Sequence, residues 1–246
     1  MNRDEILTWL REDDPRRLGA LWQRADRARA EAVGDAVHLR GLIEISNRCA
    51  RRCLYCGLRA DRAALPRYRL GADEVLACAR RAVALGYGTV VLQSGEDDGL
   101  TREAVADLVA RLKAETPLAV TLGLGERSDA DLAAWRRAGA DRYLLRFETS
   151  NRALYDRIHP PRAGERSDRL ERLERLRDLG YETGGGVMVG IPGQTYADLA
   201  DDVETFRRLD LDMIGIGPFI AHPDTPLGRR PQDFAAPPGA QAPATV

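Results

Sequence analysis

Six short apolar runs with strand character, at 39–45, 88–93, 118–123, 141–146, 184–189 and 212–217, alternate with amphipathic segments at 72–85, 101–114, 129–138, 167–179 and 196–208. No other feature constrains the fold as strongly. Strands separated by one helix-length segment pair in parallel through right-handed crossovers. Ser128 with Asp131, and Thr195 with Asp198, read as helix N-caps with an acidic partner three residues on, and Gly86, Gly139 and Gly180 stand where helices should end. A curled barrel and a doubly wound open sheet both satisfy this pattern. The polar and glycine-rich stretches choose between them, because each follows a strand end: 46–57, 94–97, 125–126, 146–151, 190–194 and 218–226. Barrels gather their functional groups at the C-terminal ends of successive strands, whereas an open sheet concentrates them at one switch point. The expected fold class is α/β, a partial TIM-type barrel of about six βα units. Residues 4–33 add helical patterning in two pieces, broken near Asp14 and Pro15. The expected organisation is a helical extension over 1–36, the barrel over 37–230, and a disordered Ala/Pro-rich tail over 231–246.

The charge balance narrows the function. Across 246 residues, 37 Lys+Arg meet 38 Asp+Glu, a near-neutral balance that speaks against an unspecific nucleic-acid binder. No apolar run approaches the roughly 20 residues needed to span a bilayer, and residues 1–10 are too acidic for a signal peptide. A cytoplasmic protein without membrane or nucleic-acid partners is expected. Lys113 is the sole lysine, so Schiff-base chemistry has no plausible residue. Cys49, Cys53 and Cys56 form a C-x3-C-x2-C group on the loop leaving the first strand. Structural zinc normally takes four protein ligands, and no fourth Cys or His lies at finger-like spacing. Cys78 falls near Val75, Ala79 and Ala82 in its helix and is expected to be a small core residue. Arg51 and Arg52, between the first two cysteines, read equally as solvated charge or as groups favouring thiolate.

The segment ISNRCARRCLYCGLR, with Tyr55 inside the last cysteine pair, resembles the radical S-adenosylmethionine (SAM) superfamily. That resemblance implies a [4Fe–4S] cluster on Cys49, Cys53 and Cys56, with SAM chelating the open iron and an electron donor reducing the cluster. Further motifs follow in order: LIEISNRC, RYRL, VVLQSGEDDGL, VTLGLGERS, GADRYLLRFETSN, GYETGGGVMVGIPGQT and DMIGIGPFIAHPDTPL. From about residue 39 to 228 they resemble the HydE family of [FeFe]-hydrogenase maturases. Methylornithine synthase is the main rival, and biotin synthase a more distant one. A HydE-type enzyme would cleave SAM reductively to a 5′-deoxyadenosyl radical in assembly of the hydrogenase diiron subcluster. Its substrate would be a small organometallic or amino-acid-derived unit, and its partners HydG and HydF.

The resemblance also assigns roles. Tyr55 would contact SAM's adenine, Ser94, Gly95 and Glu96 its methionyl amino group, and Glu148 would help hold it. Arg169 would pair with the SAM carboxylate. Thr121, Arg146 and Met213 would line the substrate cavity, while 190–194 and 215–218 would cradle adenine and ribose. His222 reads as a mouth or surface residue. The family has eight barrel units and this sequence patterns only six, with exposed edges expected on the first and sixth strands. A truncated, frameshifted or split product is therefore expected, and a non-catalytic cluster- or partner-binding remnant is the reading from another class.

Overall fold

A computed structural model describes residues 1–162 and 164–234. Helices α1 (Arg3–Leu10) and α2 (Pro15–Val33) precede a parallel sheet. Its strands are β1 (Gly41–Ser46), β2 (Thr89–Ser94), β3 (Ala119–Gly123), β4 (Arg142–Leu144), β5 (Glu182–Val189) and β6 (Met213–Pro218). They lie in strict sequence order, each hydrogen-bonded to its predecessor. Such an order has no switch point, which decides for the barrel wall over the doubly wound sheet. Crossovers carry α3 (Ala72–Ala84), α4 (Arg102–Glu115), α5 (Asp129–Arg137), α6 (Arg152–Ile158), α7 (Arg169–Asp178) and α8 (Tyr196–Leu209), with the short α9 (Pro226–Arg229) after β6.

The helix ends follow the local chemistry. Ser128 accepts from the Asp131 amide, and Thr195 forms a reciprocal capping box with Asp198. Asp14 caps α2, whose first residue is Pro15. Gly86, Gly139 and Gly180 terminate helices at φ of 80°, 109° and 84°, a region that side chains other than glycine's reach only with strain.

Strand register sorts the side chains into two faces. Outward, Ile43, Ile45, Val90, Leu92, Val120, Leu122, Tyr143, Leu145 and Phe147 pack with Leu76, Leu112, Leu132 and Trp135 into one continuous core. Inward, the aligned partners Leu42, Val91, Thr121 and Arg142, then Leu144, Gly184 and Met213, line the concave side. Among the described residues, β1 and β6 each pair on one side only, as expected for the edges. There Ile214 and Ile216 on β6 are 50% and 62% exposed, because the helix-packed core stops before the last strand, and Leu42, on the concave face of β1, is 57% exposed.

Three expectations need correction. Cys78 is exposed: α3 buries Val75, Leu76, Ala79 and Ala82, a face centred about 90° away from residue 78 at roughly 100° per residue. The helix α6 had no counterpart in the sequence reading. The ordered chain also passes the expected boundary at 230, since Pro231–Phe234 forms a 3-10 turn. Phe234 anchors it by packing on the cluster of Leu154, Ile158, Met188, Ile191, Phe219 and Leu227. The remainder of the expected tail, 235–246, lies outside the described residues. Helix α1 docks on α8 through buried Ile6 and an Arg3–Asp201 ion pair. Among the described residues no helix is long and apolar enough to cross a membrane.

Candidate active site

The loop from β1 presents Cys49, Cys53 and Cys56, all free thiols. Backbone bonds staple it in place. The Ala50 amide donates to the Glu96 carbonyl (2.9 Å), the Leu54 amide to the Ile158 carbonyl (2.8 Å), and the Leu227 amide to the Leu54 carbonyl (3.0 Å). Helix α6 and the start of α9 therefore exist to carry this loop. Arg67 closes its return by donating to the carbonyls of Asn47, Leu58 and Arg59 at 2.6–2.8 Å. Gly95 is where the loop meets the sheet: a Cβ there would strike the Arg48 carbonyl and lie 2.6 Å from Cys49 Cβ. Close approach is required at Gly95, and its partner in this structure is the cysteine loop. The neighbouring Ser94 hydroxyl donates to the Gly95 carbonyl at 2.6 Å.

Asp97 locks the same junction. It accepts two bonds from Arg69 (2.6 and 2.8 Å) and one from the Ser46 hydroxyl (2.7 Å). Burial alone would raise its pKa, but the bonds from Arg69, Ser46 and the Gly99 amide outweigh it and hold the group at about 2, below its ordinary 3.8. A folded-state pKa below the unfolded value gives stability that is complete above pH 3.8 and lost as pH falls towards 2. For this 4%-exposed side chain the contribution is about 2 kcal/mol at neutral pH. Asp97→Asn should therefore lower the thermal midpoint at pH 7 and narrow its gap to wild type as the pH is taken from 4 to 2. An unchanging gap would assign the loss to packing alone.

Below the cysteines lies a closed ring of four ion pairs. Arg51 Nε donates to Glu96 Oε2, and its Nη2 lies 3.3 Å from Glu126 Oε1. Arg169, the first residue of α7, returns to the same two carboxylates, Nη2 to Glu96 Oε1 at 3.4 Å and Nε to Glu126 Oε1 at 3.1 Å. All four side chains are at most 10% exposed. Arg51 is thus buried and paired while Arg52 is exposed, so the two arginines of the motif have separate fates. Arg169 further donates to the Arg146 carbonyl (2.6 Å), lies 2.7 Å from His159 Nε2 and 3.8 Å from Glu148 Oε1. Burial, then the charges of Arg169 and Arg51, depress His159 to about 2, so the neutral ring accepts from the guanidinium. Tyr155 stacks on that ring at 4.8 Å, and Ser167 bridges the Tyr155 hydroxyl to Glu126.

Glu148 completes the floor. It sits at φ 65°, unusual for a side chain other than glycine, and is held there by bonds to Gly186 and Met188 of β5. Backbone strain of this kind persists where the surroundings enforce it and clusters at functional sites. The Tyr55 hydroxyl donates to Glu148 Oε1 at 3.4 Å, and Arg146 Nη2 is 3.3 Å from its other oxygen. Two residues past the end of β4, Arg146 donates to the Val187 carbonyl (2.8 Å). Thr121 and Met213 share the inward face of the sheet, with Met213 Sδ 3.1 Å from Arg40 Nη1. His222 belongs to a different contact: a Cβ on Gly57 would lie 2.8 Å from its Nε2, which packs the β6 loop against the residue following Cys56.

A three-thiol loop over this floor, at the C-terminal end of a parallel wall, is matched by one family model, that of the radical SAM superfamily, over residues 43–206. The chain belongs to the radical SAM superfamily. Among curated proteins, the [FeFe] hydrogenase maturase subunit HydE of Thermotoga maritima is 50% identical over 208 residues, covering 85% of this chain and 59% of that protein. A biotin synthase of Crocosphaera subtropica is 27% identical, covering 94% of this chain and 63% of that protein. The crystal structure of methylornithine synthase superposes with a TM-score of 0.84 at 25% identity, covering 92% of this chain and 67% of that one. The chain thus spans about 60% of the length of the curated relatives it matches.

The radical SAM family implies a [4Fe–4S] cluster and SAM, and the residues present fit both. Three soft sulfur ligands on one loop suit an iron–sulfur centre. Burial pushes the Cys53 thiol up to about 12, with the Arg169 charge opposing, and also raises Cys56. Metal loading must therefore displace protons from these thiols. Glu148 Oε2 has only its ion pair to Arg146, and Arg146 Nε and, in the middle of β3, Thr121 Oγ1 are buried without hydrogen-bond partners, a costly arrangement unless a ligand supplies them. The sequence reading had placed Cys49, Cys53, Cys56, Tyr55, Ser94, Gly95, Glu96, Glu148 and Arg169 around one site, and the structure brings these together, although the Ser94 hydroxyl turns to the backbone. Glu126, Tyr155, His159 and Ser167 were missed as site residues. Glu126 carried a signal, since it follows a strand end beside Gly125, where a Cβ would lie 2.8 Å from Glu96 Cδ.

Proposed function

We propose that this chain is a HydE-type radical SAM enzyme acting in [FeFe]-hydrogenase maturation, with HydG and HydF as pathway partners and an electron donor supplying reductant. The reading is carried by the 50% identity to HydE together with a cysteine loop and a polar floor built from residues of that same motif set. The match to methylornithine synthase stands at 25% identity and supports the fold in common. Cys49, Cys53 and Cys56 would hold the cluster through their thiolates. The cluster, when bound and reduced, supplies the electron that breaks the SAM sulfonium bond.

The chain's own residues bind and orient. Arg169 offers the SAM carboxylate its buried positive charge and the one Nη1–H not already given to Glu126, Glu96, His159 or the Arg146 carbonyl. Glu96 and Glu148 accept from the amino group and ribose side, and Tyr55 presents its ring to the adenine while its hydroxyl steadies Glu148. Thr121 and Met213, on the inward face of β3 and β6, and Arg146, just after β4, line the space for a small anionic or organometallic substrate. Gly215 and Gly217 on β6 leave room beside them: a Cβ at Gly217 would lie 4.0 Å from Arg146 Nη1.

Anaerobic reconstitution with iron and sulfide should give a brown protein whose reduced EPR signal shifts on adding SAM. A Cys49→Ser, Cys53→Ser, Cys56→Ser variant should remain colourless. Wild-type protein that takes up zinc alone, or whose EPR signal ignores SAM, would remove the radical SAM reading. Complementation of a hydrogenase-maturation-deficient strain separates a HydE role from lysine-directed chemistry.

A further inference from the structure

We propose that Arg51 is a positioning residue that couples the cysteine loop to the SAM-binding side chains. It rests on the assignment of Arg169 and Glu96 to SAM made above. Arg51 lies between Cys49 and Cys53, yet its guanidinium leaves the cysteines and turns down to Glu96 and Glu126, the two carboxylates that also hold Arg169. Each carboxylate is shared by the two arginines, and each arginine by the two carboxylates. Neither Glu96 nor Arg169 can change partner without Arg51 responding. The backbone reinforces the link, since the Ala50 amide beside Arg51 donates to the Glu96 carbonyl at 2.9 Å.

Charge balance makes this coupling directional. With Arg51 present, two buried cations face two buried anions. Without it, Arg169 alone faces Glu96 and Glu126, while Glu148 keeps its own partner Arg146 at 3.3 Å. A buried guanidinium surrounded by surplus carboxylate is drawn towards them and away from an incoming carboxylate ligand. Arg51 is 3% exposed with Nη1 unpartnered, so solvent does not screen the loss. No cysteine ligand is removed, and the loop keeps its backbone staples from Leu54 and Leu227 and its clamp from Arg67. Arg51 therefore governs SAM affinity more than cluster loading.

The test compares Arg51→Met, Arg51→Lys, Glu126→Gln and the Arg51→Met/Glu126→Gln pair in anaerobically reconstituted protein. Iron content, thermal midpoint and SAM affinity by calorimetric titration are the readouts. Arg51→Met should keep wild-type iron content while binding SAM roughly tenfold more weakly or worse, the scale of one lost bond to a charged group. Adding Glu126→Gln restores one cation to one anion and should recover most of that affinity. It should also raise the thermal midpoint of cluster-free Arg51→Met. A lysine keeps the charge but cannot fork to two carboxylates, so Arg51→Lys should fall between. If Arg51→Met fails to fold, Arg51→Lys carries the test, and wild-type affinity in it overturns the proposal. So does Arg51→Met with unchanged affinity, or a pair no better than Arg51→Met, which would mark a space-filling role. Wild-type protein that loads iron and binds no SAM would instead overturn the SAM assignment beneath it.

Discussion

Gly95→Ala is expected to leave the barrel folded and to strip it of iron. The backbone at Gly95 does not demand glycine, for its φ is not among the positive values; the constraint is space. An added methyl would meet the Arg48 carbonyl, lie 3.1 Å from the Arg48 carbonyl carbon and 2.6 Å from Cys49 Cβ. All three atoms belong to backbone or to the first carbon of a ligand, so no flexible side-chain end can yield. Overpacking of this kind costs typically ~1–3 kcal/mol where neighbours can shift. Here the cheapest shift displaces the cysteine loop from β2, moving Cys49 relative to Cys53 and Cys56. A centre with three ligands in fixed geometry tolerates little of that. Reconstituted Gly95→Ala should hold less than roughly a tenth of the wild-type iron, given the sub-ångström demands of metal geometry, with circular dichroism unchanged. Gly86→Ala is the matched control. Nothing lies within 4 Å of a Cβ there and only its φ of 80° opposes the change, at a cost of about 1–2 kcal/mol. It should lose stability and keep iron. Wild-type loading in Gly95→Ala would show that the loop meets the sheet more loosely than these distances state.

The wall of the barrel was legible because periodicity reports burial one element at a time. All six strand runs overlap the observed strands, and the caps at Ser128 and Thr195 form as their spacing required. Helix α6 escaped because its seven residues make two turns, too short for a periodic signal, and because what it serves, the Leu54–Ile158 backbone bond, is long-range. Cys78 was misplaced by one helical position: residue 78 lies three after Val75, but Leu76 pulls the buried face to the other side. Arg51 and Arg52 show a deeper limit. Adjacent and chemically identical in a chain with a single lysine, they differ only in which carboxylates stand opposite them, and that is decided by Glu96 and Glu126 on two other strand-end loops. His159 is hidden for the same reason, as its partner Arg169 sits ten residues on in a segment crowded with solvated arginines. The side chains proposed to meet a ligand follow the motifs; the side chains that hold them in place do not.

Arg169 should produce the largest loss of SAM affinity of any single side chain outside the cysteines. Its guanidinium spends its bonds in three directions, on Glu126 at 3.1 Å, on the Arg146 carbonyl at 2.6 Å and, through Nη2, on Glu96 at 3.4 Å and His159 at 2.7 Å. Asp168 caps α7 immediately before it, so helix and guanidinium are placed together. Removing one partner from a buried ionic network costs about 3–5 kcal/mol, which Arg169→Met should show as a lower thermal midpoint. Affinity for SAM should fall up to roughly a hundredfold, the scale of one charge-assisted bond and its buried charge, if Arg169 holds the carboxylate as proposed. Arg169→Lys keeps the charge but not the fork, and should recover stability better than affinity. Glu126→Gln separates the two arginines of the ring. Added to Arg169→Met, it removes a surplus buried charge and should restore part of the stability while leaving SAM affinity low, since the group proposed to grip the carboxylate is gone. Added to Arg51→Met, it should restore affinity, since Arg169 is still present and only its balance was disturbed. Recovery of affinity in both backgrounds would place the SAM carboxylate elsewhere; recovery in the second alone assigns Arg169 to the ligand and Arg51 to its support.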